Sequence, residues 1–303
     1  MGNSSGVIPT ATSGEIFKDF QLLGVEDNPR FGDISLYRDK NKGDVMWVKE
    51  IKIEDRDAET HFETYYASDI WKDRIFLTKQ VFKVGGSDGM LCSSNNGGSS
   101  KLVVFMEFHD IDLESEISQR ASEQVKDFFK EPEIWYIVES IMNLEAVVLK
   151  QHRFQGDLRT CNIFISEDGF TKFADPSFID YRSNCYFKVM TGAAKCNISP
   201  EYLQSFHANQ KEPKSNPEIA DVFALGIVIL SICNLREDAS YYDWYRKEIL
   251  WNQVWEGLDF IQHKYSPLLW ELAKGCLKEK GADRIHMSDI LNFIDQRKAS
   301  GES

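Results

Sequence analysis

Hydrophobic and polar positions follow different periods in the two parts of the chain. In residues 17–52, short apolar stretches rich in Val, Ile, Tyr and Trp alternate with turn clusters such as residues 27–29, which predicts a meander of β-strands. A helix is predicted next, at about residues 55–72. After Asp112 the apolar residues are three or four positions apart, and this spacing predicts a mainly helical remainder. The spacing is clearest at Ile134, Ile137, Val138, Ile141, Leu144, Val147 and Val148.

A β-rich first third and a helical remainder together predict an α+β fold of two lobes. The small, β-rich N-terminal lobe is predicted over residues 17–108, and the larger, helical C-terminal lobe over residues 109–297. A short connector at residues 107–110 joins them. Because ligands bind preferentially where two such bodies meet, the cleft between the lobes is the expected binding site.

Three segments are predicted to lie outside the packed body. Residues 1–16 are small and polar, and we expect a flexible arm. Residues 85–100 contain almost no side chain that buries surface, which predicts a solvated loop between two strands. Residues 298–303 are predicted to form a short tail.

Composition narrows the classes of partner. Hydrophobic residues make up 42% of the 303 positions, which is enough for a packed core. The formal net charge of -13 argues against a broad cationic face, so we expect no nucleic-acid partner. The six cysteines are widely spread without a C-x-x-C pair, as is typical of reduced thiols in a cytoplasmic protein.

The N-terminus offers a partial lipidation signal. The first residues, with Gly2 after Met1, resemble an N-myristoylation signal, but Gly6 stands where Ser or Thr is usual, and an ordinary terminus remains the alternative. A single myristoyl chain gives only weak, reversible membrane binding, and the first twenty residues hold no polybasic stretch to strengthen it. We therefore expect a peripheral membrane location only if Gly2 is lipidated. The apolar run at residues 222–233 is about half the length of a membrane span and predicts a buried helix.

A chemically distinctive string begins at Gln155 and reads QGDLRTCN. Its Asp157, Leu158 and Asn162 resemble the catalytic loop of protein kinases, H-R-D-L-x-x-x-N. Asp175 follows thirteen residues after Asn162, where the family carries Asp-Phe-Gly. Upstream, Lys49 resembles the lysine of the V-A-I-K strand, and Glu63 lies on the following predicted helix.

Further matches extend the resemblance over about residues 17–297. Residues 199–201 read Ser-Pro-Glu and resemble the A-P-E end of the activation segment. Asp221 opens a segment that resembles the family's buried helix. Arg284 stands where the family has the arginine that pairs with the activation-segment glutamate, here Glu201. A protein kinase domain is therefore the expected fold.

The resemblance implies a role for each matching residue. Asp157 is the expected catalytic base, and Arg159 helps to neutralise the transferred phosphoryl group. Asn162 and Asp175 are the expected Mg²⁺ ligands, while Lys49, oriented by Glu63, holds the ATP phosphates. The other residues expected at the ATP site are Gly32, Ile34, Trp47, Met106, Glu107, Phe108 and Phe164. Lys49 and Glu63 should form an ion pair, and Asp157, Asn162 and Asp175 should converge on one cleft.

Several positions depart from the family pattern. Asp27 and Pro29 occupy the first two glycine positions of the loop over the phosphates, unless Gly24 serves with a longer loop. Trp47 stands where a small alanine packs on adenine, and it could stack with Phe164, the expected floor of the pocket. Alternatively, Trp47 turns aside into ordinary core. Gly156 replaces the arginine that pairs with a phosphorylated activation loop, so phosphorylation control of the usual kind is not expected.

Three functions follow as hypotheses. The first is an atypical protein kinase that transfers the γ-phosphoryl group of ATP, with Mg²⁺, to a protein hydroxyl, with Ser or Thr favoured over Tyr. The second is a pseudokinase scaffold with an aromatic-blocked adenine pocket and a docked protein partner. The third is a small-molecule kinase, because Gly156, Asp157 and Asn162 also resemble the H-G-D-x-x-x-x-N loop of aminoglycoside and choline kinases.

Overall fold

Two units make up the α+β fold of this chain. A computed structural model describes residues 8–28, 31–53, 56–67, 70–84, 100–150, 154–166, 169–174 and 184–300. By their internal contacts, the first unit comprises Met1–Asp110 and Lys172–Tyr181, and the second comprises Ile111–Thr171 and Arg182–Ser303. The segment after Thr171 joins the first unit because the backbone of Phe173 bonds to Ile75 and Leu77, at 2.9 and 3.1 Å. The proposed lobe and domain boundaries stay a prediction.

The first unit is built on a five-stranded antiparallel sheet, ordered β1-β2-β3-β5-β4. The strands are β1 (Phe20–Asn28), β2 (Gly32–Asp39), β3 (Val45–Lys52), β4 (Thr78–Val84) and β5 (Lys101–Glu107). Strand β5, between β3 and β4, is apolar and buried from Leu102 to Met106, as is typical of a strand covered on both faces. Edge strand β1 is mostly exposed. Helices α1 (Ser13–Phe17) and α2 (Arg56–Ala67) accompany the sheet.

The N-terminal arm is more ordered than its composition predicts. Thr12 and Glu15 form a capping box that starts α1, with Glu15 N at 3.3 Å from Thr12 Oγ1 and Thr12 N at 2.9 Å from Glu15 Oε2. Upstream, Ala11 N and Pro9 O bond to the backbone of Lys83 in β4, at 3.1 and 2.9 Å. The prediction of a flexible arm over residues 1–16 is therefore wrong for residues 9–16. Gly2 and the rest of residues 1–7 lie outside the described residues.

The helix predicted over residues 55–72 is shorter in the structure, and most of the predicted loop is not described. Helix α2 ends at Ala67 instead of continuing to Lys72, and a short 3-10 turn, Ile70–Lys72, follows. The indole Nε1 of Trp71 donates to the carbonyl of Tyr66 at 2.7 Å, so a side chain satisfies a carbonyl of the last turn. Residues 85–99 of the predicted loop lie outside the described residues.

The second unit is mainly helical. Its helices are α3 (Leu113–Ser122), α4 (Glu131–Leu149), α5 (Cys185–Thr191), α6 (Pro200–His207), α7 (Pro217–Asn234), α8 (Trp251–Lys264), α9 (Pro267–Cys276) and α10 (Met287–Ser300). Short strand β6 (Ile163–Ile165) follows the α4 region, and β8 (Tyr242–Asp243) pairs with β9 (Glu248–Ile249). Strand β7 (Thr171–Phe173) begins at Thr171 of this unit, and its other two residues belong to the first unit. The predicted apolar face of α4 is buried except at half-buried Val147.

Helix α7 is the centre of this unit. Its residues are apolar on all sides, and 83% of the helix is buried inside the protein. Gly226 permits close packing, since a Cβ there would approach Leu277 Cγ to 2.7 Å. Within the part of the chain that the structure describes, α7 is the one helix long and apolar enough to cross a membrane. Such a helix is also typical of a protein core.

Two buried carboxyl groups belong to α4 and α7. Glu145 is 3% exposed, and burial together with the charge of Asp221 raises its pKa well above the usual value. Burial also raises the pKa of Asp221 to about 7, although the backbone N–H of Gly156 donates to both of its carboxylate oxygens at 3.1 Å. An ionised Glu145 is therefore unfavourable in the folded protein.

We predict that Glu145→Gln stabilises the protein near neutral pH. A carboxyl group with a raised folded pKa binds more protons in the folded than in the unfolded state, so the wild-type unfolding free energy falls as pH rises above 4.5. Gln has no titratable carboxyl group, so the unfolding free energy of the variant does not fall for this reason. Urea titrations should give similar stabilities at about pH 4 and a variant more stable by about 1–3 kcal/mol at about pH 7. Glu139→Gln, on the exposed side of α4, is the matched control and should show no such difference. A less stable Glu145→Gln at neutral pH would contradict the prediction.

Candidate active site

The loop at residues 154–162 is held in the second unit by backbone contacts. Asp221, in the second turn of α7, accepts the N–H of Gly156, and the carbonyl of Gly156 accepts the N–H of Cys185 at 2.7 Å. Gly156 has a φ of +74°, a conformation that side-chain-bearing residues rarely adopt. Gln155 Oε1 accepts the N–H of Asp157 at 2.6 Å. The position of Asp157 is therefore fixed from both sides.

The carboxylate of Asp157 is buried among cationic and amide groups. Arg159 donates to it in a bidentate manner, with Nε at 2.7 Å from Oδ1 and Nη2 at 2.8 Å from Oδ2. Lys188 Nζ and, at 3.1 Å, Asn162 Nδ2 also donate to Oδ2. Burial raises the pKa of Asp157, but the charges of Arg159 and Lys188 outweigh it and hold the pKa below its usual value. Asp157 is therefore ionised at neutral pH.

Lys188 is a site residue that sequence motifs did not identify. It lies on α5, which Asn184 caps by accepting the N–H of Phe187 at 2.9 Å. Its side chain is 9% exposed in its ion pair with Asp157. The available signal was a single cation in an otherwise largely apolar helix, since a buried lysine requires an anionic partner.

Asn162 is oriented so that it could ligate a cation. Its Nδ2 donates to the carbonyl of Asp157 at 2.8 Å as well as to the carboxylate, and its amide oxygen is 3.9 Å from the thiol of Cys161, a weak donor. An amide oxygen is one of the hard oxygen ligands that bind cations such as Mg²⁺. The described residues contain no cluster of three or more His, Cys, Asp or Glu side chains that could hold a metal. Asp175, the second expected ligand, lies outside the described residues.

In the first unit, Lys49 and Glu63 do not form the expected ion pair. Lys49 Nζ donates to the carbonyl of Asp33 at 2.7 Å, and burial lowers its pKa. Glu63 instead pairs with Lys83 at 2.6 Å, and Lys83 also binds Glu59 at 2.8 Å. The prediction of a Lys49–Glu63 pair is therefore wrong for this structure. The physical reason is that β4 presents a lysine to α2, where it bridges two carboxylates one helical turn apart.

Lys49 lies beside the start of β2. Gly32, the first residue of that strand, has a φ of +63°, and a Cβ added there would lie 3.5 Å from Lys49 Nζ. Ile34 in β2, also expected at the ATP site, is 1% exposed and belongs to the core. Of the expected phosphate-binding residues, the structure thus brings Gly32 and Lys49 together.

Aromatic side chains cover the strand face that Lys49 shares with Trp47. Trp47 is 4% exposed, and its ring centroid lies 5.8 Å from that of Phe31 and 5.0 Å from that of Phe108. Phe31 is 1% exposed, and its N–H donates to Asn28 Oδ1 at 3.3 Å. An adenine ring on this face requires these side chains to move. Trp47 is thus packed by Phe31 and Phe108, and neither contact was predicted.

Phe164, the expected floor of the adenine site, belongs to the second unit. It is fully buried in β6 and forms a bridge with Asp112. Its stacking on Trp47 stays a prediction.

The connector after β5 has its own ionic cluster. Met106 is 1% exposed and pairs with Trp47 across β3 and β5. The carboxylate of Glu107 binds Lys79 at 2.5 Å, Lys172 at 2.8 Å and His109 at 3.1 Å. Burial raises the pKa of Glu107, but its three partners outweigh this effect and hold the pKa far below its usual value. The side chain of Glu107 is therefore fixed by three neighbours.

Glu201 and Arg284 are brought together in the second unit. Arg284 Nη1 and Nη2 donate to the two carboxylate oxygens of Glu201 at 2.8 and 3.1 Å. Arg284 is 3% exposed and also donates to the carbonyls of Ile219 and Lys278, at 2.7 and 2.9 Å. This bidentate pair fixes the start of α6 to the segment before α10.

Comparison with known proteins does not identify a family for this chain. No protein-family model matches the chain, and no match was found among curated proteins. The residues and contacts described above are thus the basis for assigning a function.

Proposed function

We propose that this chain is a divergent protein kinase that transfers the γ-phosphoryl group of ATP to a hydroxyl group of a protein. The observation that carries the proposal is the buried carboxylate of Asp157 with Arg159, Lys188 and Asn162 around it. Buried ions contribute little net stability, because desolvation offsets their attraction. Such a cluster in a fixed loop is therefore expected where charged groups take part in chemistry.

The proposed reaction uses each group in a defined role. The substrate hydroxyl oxygen forms a bond to the γ-phosphorus, the bond from that phosphorus to the β–γ bridging oxygen breaks, and ADP leaves. Asp157 accepts the hydroxyl proton, and Arg159 offsets the developing negative charge. Lys49 holds the phosphates, and Asn162 with Asp175 would hold Mg²⁺. When bound, Mg²⁺ supplies positive charge to the β- and γ-phosphates.

The proposal requires two contacts to change. Lys188, Arg159 and Asn162 all donate to Oδ2 of Asp157, the carboxylate that must accept a proton. Glu63 is bound to Lys83 instead of Lys49. Catalysis therefore requires Lys188 to withdraw and Glu63 to exchange its lysine partner. We infer that the described arrangement is an inactive state of the enzyme.

A pseudokinase scaffold is the second candidate, and one observation favours it. Phe31 and Phe108 pack on Trp47, on the face where the resemblance places adenine. Aromatic pairs of this kind stabilise a core by about 0.5–1.5 kcal/mol beyond the contribution of the buried area. Separating them to admit a ligand would therefore require free energy. If these contacts persist, the chain acts by binding protein partners.

Nucleotide binding distinguishes the two candidates. We predict that ATP with Mg²⁺ raises the melting temperature by several degrees, because a ligand at 100 times its Kd stabilises the folded state by about 2.7 kcal/mol. Asp175→Ala should abolish the rise that depends on Mg²⁺. Asp259→Ala, which removes an exposed carboxylate from α8, is the control and should retain it. No rise at millimolar nucleotide would favour the scaffold over the kinase.

Lys188 gives a second prediction. We expect Lys188→Met to raise kcat several-fold, because one of the three donors to Oδ2 of Asp157 is removed and the carboxylate becomes a stronger base. Lys188 lowers the pKa of Asp157, so its removal raises that pKa, and the acid limb of the pH–rate profile should move to higher pH.

The control for Lys188 is Lys195→Met. Lys195 belongs to the same segment, has an exposed side chain, and contacts Arg159 only through its backbone carbonyl. Its replacement should leave both the rate and the pH profile unchanged. An unmoved acid limb in Lys188→Met would contradict the proposed role of Asp157 as base.

A further inference from the structure

Three aromatic side chains of the second unit lie around one lysine at the protein surface. Phe128 belongs to the segment between α3 and α4, Phe260 lies near the end of α8, and Tyr265 directly follows that helix. The ring centroids of Phe128 and Phe260 are 5.3 Å apart, with an angle of 32° between the ring planes. All three side chains are half-buried, so part of each ring faces solvent. We call Phe128, Phe260 and Tyr265 the aromatic cage.

The side chain of Lys264 occupies the aromatic cage. Its Nζ lies 4.0 Å from the ring centroid of Phe128 and 6.0 Å from the centroids of both Phe260 and Tyr265. A cation is attracted to the face of an aromatic ring at distances up to about 6 Å. Phe260 and Lys264 are four residues apart on α8, so they share one face of that helix. One ammonium group is therefore held by three rings.

The rings hold this ammonium group without the help of an acidic side chain. Among the residues that the structure describes, no Asp or Glu forms a salt bridge with Lys264. The neighbouring carboxylate of Asp259 lies 3.7 Å from Nδ1 of His263 instead. An exposed lysine usually extends its charge into water, so its position on the rings shows that the cage attracts a cation.

The aromatic cage is fixed in place and lies where a positive charge is favoured. Tyr265 Oη donates to the carbonyl of Phe129 at 3.2 Å, which joins the end of α8 to the segment that carries Phe128. Lys264 is the last residue of α8. The partial negative charge at the C-terminal end of a helix stabilises a cation there. The rings and the helix end therefore favour the same kind of ligand.

The chemistry of Lys264 indicates which cation binds the rings better. An unmodified ammonium group is a compact and strongly hydrated charge, so contact with rings competes with its hydration. Methylation of a lysine keeps the positive charge. It replaces N–H groups that bind water with methyl groups, which contact the rings, and aromatic cages are typical sites for such methylated ammonium groups. Lys264 is thus a weaker occupant than a methylated lysine.

The open form of the cage favours a side chain of a protein over a free small molecule. Sites for small molecules are concave and bury most of the ligand surface, whereas these three rings are only half-buried. A methylated lysine within a peptide gains further contacts from the residues on either side of it. The four-carbon stem of Lys264 already reaches the rings, and the net charge of -13 attracts basic segments.

We propose that the aromatic cage binds a methylated lysine of a partner protein, and that Lys264 occupies the cage until this partner displaces it. None of the residues around Asp157 belongs to the cage, and the binding is measured without nucleotide. It can therefore fail or succeed independently of the kinase proposal.

The test is fluorescence anisotropy with the full chain and a labelled peptide, Gly-Ser-Lys-Ser-Gly, in which the lysine is trimethylated. We expect saturable binding with a Kd below about 1 mM. The peptide with unmodified lysine should bind about tenfold more weakly, because its ammonium group stays hydrated. A peptide in which a neutral tert-butyl group replaces the trimethylammonium group has the same shape without the charge, and it should also bind more weakly.

Two kinds of variant should change the affinity in opposite directions. Phe128→Leu keeps an apolar side chain but removes the ring, and it should weaken binding of the trimethylated peptide about tenfold. Phe260→Leu should act in the same direction, and circular dichroism verifies that both variants fold. Lys264→Ala removes the competing ammonium group, so it should strengthen binding several-fold. A gain in affinity cannot result from loss of structure.

The matched control is Lys274→Ala. Lys274 Nζ lies 4.4 Å from the ring centroid of Trp270, a contact with a single ring outside the aromatic cage. Its removal should leave the affinity for the trimethylated peptide unchanged. Free phosphocholine carries the same methylated ammonium group and should bind more weakly than the peptide.

Four outcomes would overturn the proposal. The first is the absence of saturable binding of the trimethylated peptide to Lys264→Ala at millimolar concentrations. The second is equal affinity for the neutral tert-butyl peptide, which would show apolar contact without selection of charge. The third is an affinity that does not change in Phe128→Leu or in Lys264→Ala. The fourth is tighter binding of phosphocholine than of the peptide, which would indicate a lipid headgroup as the ligand.

Discussion

The buried carboxylate of Asp157 is the constraint on which the second unit depends. An ionised group that is 2% exposed must be neutralised, and Arg159 and Lys188 do this from two different segments. Asp221 holds the backbone of the same loop, at Gly156, from the core of α7. Loop, α5 and α7 are therefore linked through a few polar contacts in an otherwise apolar interior. Removal of any one partner leaves a buried charge or donor unsatisfied.

The buried face of a helix was predicted correctly from the spacing of neighbouring apolar residues. The three- and four-residue spacing of Ile134 to Val148 identified the buried face of α4, because helix geometry alone determines which positions share a face. This face is determined without knowledge of neighbours from distant parts of the chain. Glu201 and Arg284 are far apart in sequence, and their bidentate pair was expected only because of the resemblance to protein kinases.

Pairing between segments was harder to predict. Lys49 and Glu63 fit a motif, but an ion pair depends on which lysine lies nearest, and Lys83 on β4 takes Glu63. Trp47 stood out in the sequence because of its size. Its partner Phe31 follows a turn, and hydrophobic periodicity does not predict where turn residues lie. Lys188 belongs to no motif of the chain. In each case the missing information is three-dimensional proximity, which one sequence alone does not contain.

Lys83 is attached to two other segments at once. Its backbone is bonded to residues 9–11, while its side chain binds Glu59 and Glu63 of α2. Loss of the side chain would release the two carboxylates of α2, whereas loss of the backbone bonds would release residues 9–11. One residue of edge strand β4 thus anchors two segments that are about fifty positions apart along the chain.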